Sequence, residues 1–293
     1  MLRIPPGHET LVTTDLSLEG VHFRREWHPP ESVGHRCLTR GLSDIAGMGG
    51  VPLAAFLSLA VPGRLPQRWV DRFLNGLLKL AEQSNVVLAG GDTSESPNGV
   101  LADIVAIGSV PQGKSILRSR ARPGDRIYVS GRLGGSAATL DLLFSRPGKK
   151  LKPTLFASHF FPTARTNLGR ILRERSIATA MIDISDGLST DLSHICEASR
   201  VGAEIRIDAL PRASIAKRKV DLEFALHGGE AYELLFTAKQ RTPIPAKIAG
   251  TPITCIGEIM RGNKLVLVSA DATRSELKVR GWQHFEQPSP EMR

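Results

Sequence analysis

Cysteine is scarce in this chain. Its 293 residues include three, Cys37, Cys196 and Cys255, far apart and without C-x-x-C spacing. That excludes a disulfide framework, supplies no clear metal-ligand pattern, and predicts reduced core thiols of a cytoplasmic protein. Long apolar runs are also missing. The longest, VPLAAFLSLAVP from Val51 to Pro62, falls short of the ~20 residues that span a bilayer. The N-terminal MLRIPPGHET has no signal-peptide core, so no membrane partner is expected. There is neither a low-complexity tract nor a short-period repeat.

What is present is a globular composition with a basic balance. A hydrophobic share of 41% over 293 residues is enough to bury a substantial core, and the length favours two domains. The formal net charge of +9 suits an anionic partner: nucleic acid, an acidic surface or a small polyphosphate. Arg118, Arg120, Arg122 and Arg126 cluster loosely, but no long block of like charge forms a dedicated nucleic-acid arm. Surface solvation accounts for most of the remaining Lys and Arg.

Periodicity places the elements. Val33, Cys37, Leu38, Leu42, Ile45 and Ala46 mark one helix face over 31–48, and Trp69 to Ala81 mark a second over 66–83. ETLVTTDLSLEGVHF, NVVLAGGD and VLADIVAIGSV read as strands. The turn RPGD at Arg122–Asp125 and a composition shift put a boundary near 112–124, dividing the chain into domains 1–115 and 116–293. The second half alternates helices starting at Gly134, Thr163 and Asp186 with strands in RIYVSG, ATAMIDIS, AEIRIDAL, EAYELLFT, ITCIGEIM and KLVLVSA. Mixed α and β in both halves is the expected fold class.

GSVPQGKS, Gly108 to Ser115, fits the phosphate-loop pattern G-x-x-x-x-G-K-[ST]. Such a loop works by delivering phosphate to the N-terminus of a helix. Here the following KSILRSRA is short, strongly basic and runs into Pro123-Gly124. Positive charge at its start opposes the helix dipole, so a strand-to-strand loop is expected.

The stronger signal is a set of aspartates beside small residues: Asp15 in VTTD, Asp44 in LSDIAGMGG, Asp92 in LAGGDTS, and Asp183 and Asp186 in DISDGLSTDL. Short carboxylates hold hard cations close to the backbone, neighbouring Gly admits phosphate, and Ser or Thr adds oxygen ligands. Each also has an ordinary reading. Asp186 suits a helix cap, Asp44 an i,i−4 pair with Arg40, and Asp92 a turn.

TTDLSLEGVHF, GLSDIAGMGG, FLSLAVP, LAGGDTS, LRSRARPGD, DISDGLSTDL, HGGEAYELLFT and GWQHF, in this order across nearly the whole chain, resemble the thiamine-monophosphate kinase family. That family belongs to the aminoimidazole-ribonucleotide synthetase-like superfamily. The resemblance implies an N-terminal mixed sheet with helices that forms a homodimer, followed by a C-terminal α/β domain. It implies ATP as co-substrate, several Mg²⁺ ions, and phosphorylation of thiamine monophosphate to thiamine diphosphate. By position, Thr13, Thr14, Asp15, Asp44, Asp92, Asp183 and Asp186 correspond to Mg²⁺ ligands. Gly91, Asp92, Arg118 and Ser185 correspond to ATP contacts, and His22, Glu230 and Trp282 to residues around the thiamine substrate. Bland roles exist for these too: His22 as a core histidine, Arg118 as a surface charge, Ser185 as a turn residue, Glu230 as a solvated acid, Trp282 as packing. Another ATP-using enzyme of the superfamily and a non-catalytic nucleotide- or nucleic-acid-binding relative are the alternatives.

The implied chemistry explains the need for cations. Two unit charges 4 Å apart repel by ~1 kcal/mol in water and ~4 kcal/mol at an effective dielectric of 20, so two phosphates meet only with screening. The attacking phosphate oxygen is already ionised, and no general base is assigned. Two departures from the family pattern stand out. A segment ending in GDDAAVL, with a further Mg²⁺ ligand, precedes the equivalent of LVTTD in the family. MLRIPPG resembles the tail of that segment, which predicts that Met1 is internal to a longer reading frame. Ala231 stands where the family usually has Asp, with Glu233 as a candidate to compensate.

Overall fold

The computed structural model describes residues 1–146, 148 and 150–282. Gln283, His284 and Phe285 of the GWQHF stretch lie outside the described residues.

The N-terminal half contains β1 (His8–Leu18), α1 (Pro30–Gly47), β2 (Val51–Val61), α2 (Gln67–Gln83), β3 (Val87–Glu95) and β4 (Leu101–Pro111). The strands form one sheet in the order β1-β4-β2-β3. Helix α2 is the crossover that makes β2 and β3 parallel, while the other pairs are antiparallel. Proline sits in the first turn of α1, where its missing N–H costs nothing. Both helices cover one face of the sheet, burying Cys37, Leu38, Leu42, Phe73 and Leu77 against Ala55, Leu57 and Ile104. Among the described residues nothing covers the other face: Val12, Leu16 and Val87 are 63%, 47% and 65% exposed.

The C-terminal half runs through β5 (Arg126–Ser130), α3 (Gly135–Ser145), α4 (Ala157–Phe160), α5 (Thr166–Glu174), β6 (Ala180–Asp183), α6 (Leu188–Ser199) and β7 (Gly202–Arg206). It continues with the small hairpin β8 (Ser214–Ile215) and β9 (Arg218–Lys219), then α7 (Leu222–His227), β10 (Leu234–Ala238), β11 (Lys247–Ile248), β12 (Thr251–Met260), β13 (Leu265–Val268) and β14 (Arg274–Glu276). The main sheet has the order β14-β13-β7-β12-β5-β10-β6. Leu188, Leu192, Ile195 and Cys196 of α6, at helical spacing, bury against Ile127, Val129, Ile205 and Ile256 on the sheet.

Helix α1 belongs to both halves. Its Ala46 is part of the cluster formed by Leu168 and Leu172 of α5 with Met181, Leu234 and Phe236 of the C-terminal sheet. The junction is therefore apolar at one end of α1 and polar along the rest of it.

The expected strand-to-strand connection after GSVPQGKS is close to what forms. Strand β4 ends at Pro111, the Lys114 N–H donates to the Pro111 carbonyl in a turn, and the next helical segment is a single 3-10 turn at Arg118–Arg120. Among the described residues, no α-helix follows directly on this loop. Two expected elements start late. The strand expected over EAYELLFT begins only at Leu234, because Glu230 and Tyr232 adopt left-handed backbone with φ of 59° and 51°. The helix expected from Asp186 begins at Leu188, after Gly187 with φ of 119°. Among the described residues, no helix is long and apolar enough to cross a membrane.

Candidate active site

The face of α1 that meets the C-terminal half carries Arg36, Arg40, Ser43, Asp44 and Gly47, one stripe at helical spacing. Ser43 Oγ donates to Asp183 Oδ2 at 2.6 Å. Gly47 permits the close approach: a Cβ there would lie 3.1 Å from the Asp183 nitrogen. From β1, Thr13 Oγ1 donates to Asp44 Oδ2. Thr14 points to the other face, as strand alternation requires, and its hydroxyl donates to Asp103 Oδ1 at 3.1 Å.

The turn after β6 is organised by a residue from α6. Asp191 accepts from the Asp186 and Gly187 N–H groups at 3.2 and 3.1 Å, which satisfies donors at the helix start and leaves Asp186 out of the capping role. That correction removes the helix-cap reading of Asp186. The i,i−4 pair of Asp44 with Arg40 is likewise replaced, since Arg40 pairs with Glu230.

These carboxylates crowd one another. Burial, followed by repulsion from Asp44, raises the Asp15 pKa to about 7, with Asp103 and Asp186 adding and Arg40 opposing. Burial and then Asp44 and Asp15 push Asp183 up. Asp44 is raised by burial against the Thr13 hydroxyl and Arg118. Burial, Asp183 and Asp186 lift Asp191 to about 8, against the two N–H donors. Asp15 Oδ2 is buried without a hydrogen-bond partner. Closely packed oxygen donors that resist ionisation, with an orphaned carboxylate oxygen among them, fit a hard divalent cation. Asp186 and Asp191 can also offer ligand atoms together with His194, all within 4.8 Å of one another.

Beside this cluster the charge is handled the opposite way. Arg36 and Arg40 each donate to a different oxygen of Glu230, both at 2.5 Å. Burial works against the Glu230 charge, yet the two guanidinium groups hold its carboxyl well below the usual range. Arg36 also donates to the carbonyls of His159 and His22 at 2.6 and 3.1 Å. His159 closes the knot by meeting Ser136 Oγ at 2.9 Å and His28 Nε2 at 3.0 Å. Burial and Arg36 lower His28 to about 4, so the histidine pair is neutral. Glu233, the candidate to compensate for Ala231, is bound by Arg165 and Ser130. It is committed elsewhere.

The remaining expected residues divide. Arg118 lies close enough to lower the Asp44 pKa. The Ser185 carbonyl accepts from the Glu230 N–H at 2.7 Å. His22 Nδ1 accepts from the Leu18 N–H at 2.9 Å, just beyond β1. The Trp282 N–H donates to the Asp186 carbonyl at 3.1 Å, and its ring is half exposed. Asp92 stands apart. It is on β3, three strand positions from β1, or roughly 14 Å at the usual strand spacing. Its register neighbours Ser58, Asp103 and Leu16 place it on the open face of the sheet. Gly91 precedes it with φ of 150° and packs against Leu57, whose carbonyl oxygen would be 1.8 Å from a Cβ.

Sequence reasoning did not select Asp103, Asp191, His194, Arg36 or Arg40 for the site. Asp191 lay within the quoted DISDGLSTDL, and helical spacing from Asp44 back to Arg40 and Arg36 was available. Their partners, however, are distant in sequence. Comparison with known proteins agrees with this architecture. The family models "AIR synthase related protein, N-terminal domain" and "AIR synthase related protein, C-terminal domain" match residues 1–110 and 122–268. A thiamine-monophosphate kinase from Salmonella typhimurium is 36% identical over 98% of this chain and 90% of its own length. The chain belongs to the thiamine-monophosphate kinase family. Its Bacillus subtilis relative is 34% identical over 96% of this chain and 89% of its own. Among solved structures, thiamine-monophosphate kinase from Stenotrophomonas maltophilia K279a superposes with a TM-score of 0.83 at 34% identity, covering 91% of this chain and 87% of that one. AaThiL complexed with AMPPCP and TMP gives 0.84 at 32%, covering 97% and 89%. Escherichia coli HypE, a hydrogenase maturation protein, gives 0.76 at 17% identity over 100% and 92%, which is likeness of fold alone.

Proposed function

We infer that this member of the thiamine-monophosphate kinase family transfers the γ-phosphoryl group of ATP to thiamine monophosphate, producing thiamine diphosphate. The observation that carries the reading is the crowded set of Asp15, Asp44, Asp183 and Asp186, contributed by β1, α1, the end of β6 and the turn after it, with Arg40 and Arg118 close enough to act on its charges.

In this reading Thr13, Asp15, Asp44, Asp183 and Asp186 hold Mg²⁺, while the Thr14 hydroxyl, bonded to Asp103 on the open face with Asp92, does not reach this set within one chain. When bound, the ions supply the positive charge that screens the phosphates and aligns the transferring group. The protein's own work is orientation. Thr13 fixes the Asp44 carboxylate and Ser43 that of Asp183, which would leave the second oxygen of each to hold a cation. Arg118, Gly91 and Ser185 take the nucleotide side. His22, Glu230 and Trp282 take the thiamine side, with the Trp282 ring available to stack on cationic thiamine. Glu230, held by two guanidinium groups, acts by fixing its loop; its left-handed backbone and that of Tyr232 are conformations that surrounding structure must enforce. The acceptor phosphate is already an anion, so catalysis is positioning and electrostatics without a general base.

Asp92 belongs to the proposed metal set but does not reach it within one chain. A homodimer through the uncovered face of the N-terminal sheet, where Val12, Leu16 and Val87 are exposed, would let Asp92 act across the interface on the partner's cluster. Contiguous exposed apolar surface of this kind marks association sites. The overall activity is tested by ADP release with Mg²⁺, ATP and purified chain, with and without thiamine monophosphate. Release that depends on thiamine monophosphate is expected. Release independent of it overturns the reading.

A further inference from the structure

We propose that Arg40 is a phosphate-binding residue, donating its Nε–H to an oxygen of the acceptor phosphate between the acidic cluster and Glu230. The proposal deepens the kinase reading and rests on it.

Arg40 stands one helical turn before Asp44, and its side chain is 11% exposed. Two of its donors are used: NH1 to the Leu16 carbonyl at 3.1 Å and NH2 to Glu230 Oε1 at 2.5 Å. Its Nε is buried with no partner. A buried, unpaired N–H on a guanidinium is a costly thing for a fold to keep.

The neighbouring orphan is of the complementary kind. Asp15 Oδ2 is also buried and without a partner. Arg40 lowers the Asp15 pKa, so the two charges feel each other, yet among the described residues they form no ion pair. A ligand that accepts from Arg40 and brings a cation to Asp15 would satisfy both orphans. A phosphate oxygen would satisfy Arg40, and Asp15 would hold the cation that screens that phosphate. Lysine's ammonium is a point charge, whereas guanidinium keeps a donor free after two others are tied down, which is the geometry seen here.

The side of the cluster selects the phosphate. Arg40 grips one oxygen of Glu230, Arg36 holds the other and also the His22 carbonyl, and in the proposed reading Glu230 and His22 take the thiamine side. Arg40 therefore lies on the thiamine side, and the acceptor phosphate is its ligand. Arg36, with NH1 and NH2 on His159, His22 and Glu230, is the brace that holds the same carboxylate from the other side.

The test compares Arg40→Met and Arg40→Lys with the unaltered chain. Binding of thiamine monophosphate and of phosphate-free thiamine is measured by calorimetry with Mg²⁺ and no nucleotide, alongside steady-state kinetics. Loss of a charged hydrogen bond predicts about a ten- to hundredfold weaker affinity for thiamine monophosphate in Arg40→Met, with thiamine affinity within about twofold. Arg40→Lys is expected to lie between, and KM for ATP to stay within about twofold. Equal losses for both thiamine ligands would mean that Arg40 only braces Glu230, and would overturn the proposal. A rise confined to KM for ATP would overturn the assignment to the acceptor. If Arg40→Met does not fold, the same ratio is read from Arg40→Lys and Arg40→Gln. Failure of the unaltered chain to turn over thiamine monophosphate would sink the kinase reading itself, a result separate from any ratio between variants.

Discussion

Two groups of carboxylates lie side by side at the domain junction and are treated in opposite ways. Glu230 receives two guanidinium groups and is driven further into its charged form. Asp15, Asp44, Asp183 and Asp191 are driven toward protonation by burial, with repulsion from neighbouring carboxylates added at Asp15, Asp183 and Asp191. Burial alone does not distinguish them, since it opposes ionisation in both. What differs is the stoichiometry of charge: Glu230 is saturated from within the fold, and the aspartates are not. A saturated ion pair braces structure, and an unsaturated cluster stores repulsion that binding can relieve.

The comparison breaks most sharply at Asp44. Asp44→Asn removes a central carboxylate, and a loss of about 10³-fold in thiamine-monophosphate-dependent ADP release is expected, the several kcal/mol that metal-assisted charge stabilisation supplies. Its unfolding temperature without Mg²⁺ should rise, because a repelling charge is gone. Glu230→Ala should do the reverse to stability. Two buried guanidinium groups would lose their counter-charge, with a cost of about 3–5 kcal/mol, read by urea denaturation. If the two substitutions changed stability in the same direction, the contrast between the clusters would fail.

Proton linkage sharpens it further. Burial and neighbouring carboxylates raise Asp15 and Asp191 from 3.8 to about 7 and about 8 in the folded chain. Over that interval the folded state binds the extra protons, so its stability falls as pH rises and levels off above about 8. His28, lowered from 6.5 to about 4, acts in the other direction and only below about 6.5. Between pH 6.5 and 8 the carboxylates therefore dominate. The unfolding temperature should decline across that window without Mg²⁺, and Mg²⁺ should flatten the decline. A flat profile in the absence of the ion would count against a cation-poor cluster.

The smallest effect on stability is expected at Asp92. It is exposed on the edge strand, and Asp92→Ala should stay within about 0.5 kcal/mol. Its effect on activity separates a site built by one chain from one shared between copies. If Asp92 acts across a homodimer, mixing inactive Asp92→Ala and Asp44→Asn chains in equal amounts should restore about a quarter of the unaltered activity through mixed dimers. No recovery would place the whole site within one chain.

Much of this was legible from residue order. The apolar face of α1, the strand carrying VTTD and the turn DISDG each have a local cause in periodicity or backbone preference. The rejection of GSVPQGKS as a phosphate loop also followed from local features, namely basic residues and Pro123-Gly124 where a helix would have to begin. The fate of Glu230 was not legible. Nothing near HGGEAYELLFT indicates that two arginines nearly two hundred positions earlier will hold it, or that Glu230 and Tyr232 will take left-handed backbone and delay the strand to Leu234. The same holds for Glu233, whose partners Arg165 and Ser130 come from a loop and a neighbouring strand.

The sequence by itself determined the elements, the family and the inventory of oxygen donors, because these rest on periodicity and on the chemistry of side chains a few residues apart. Only the tertiary structure decided which carboxylates come together, which are already neutralised, and that Asp92 faces away from Asp15 and Asp44. Electrostatic energy depends on separation in space and on burial, and neither is a function of distance along the chain.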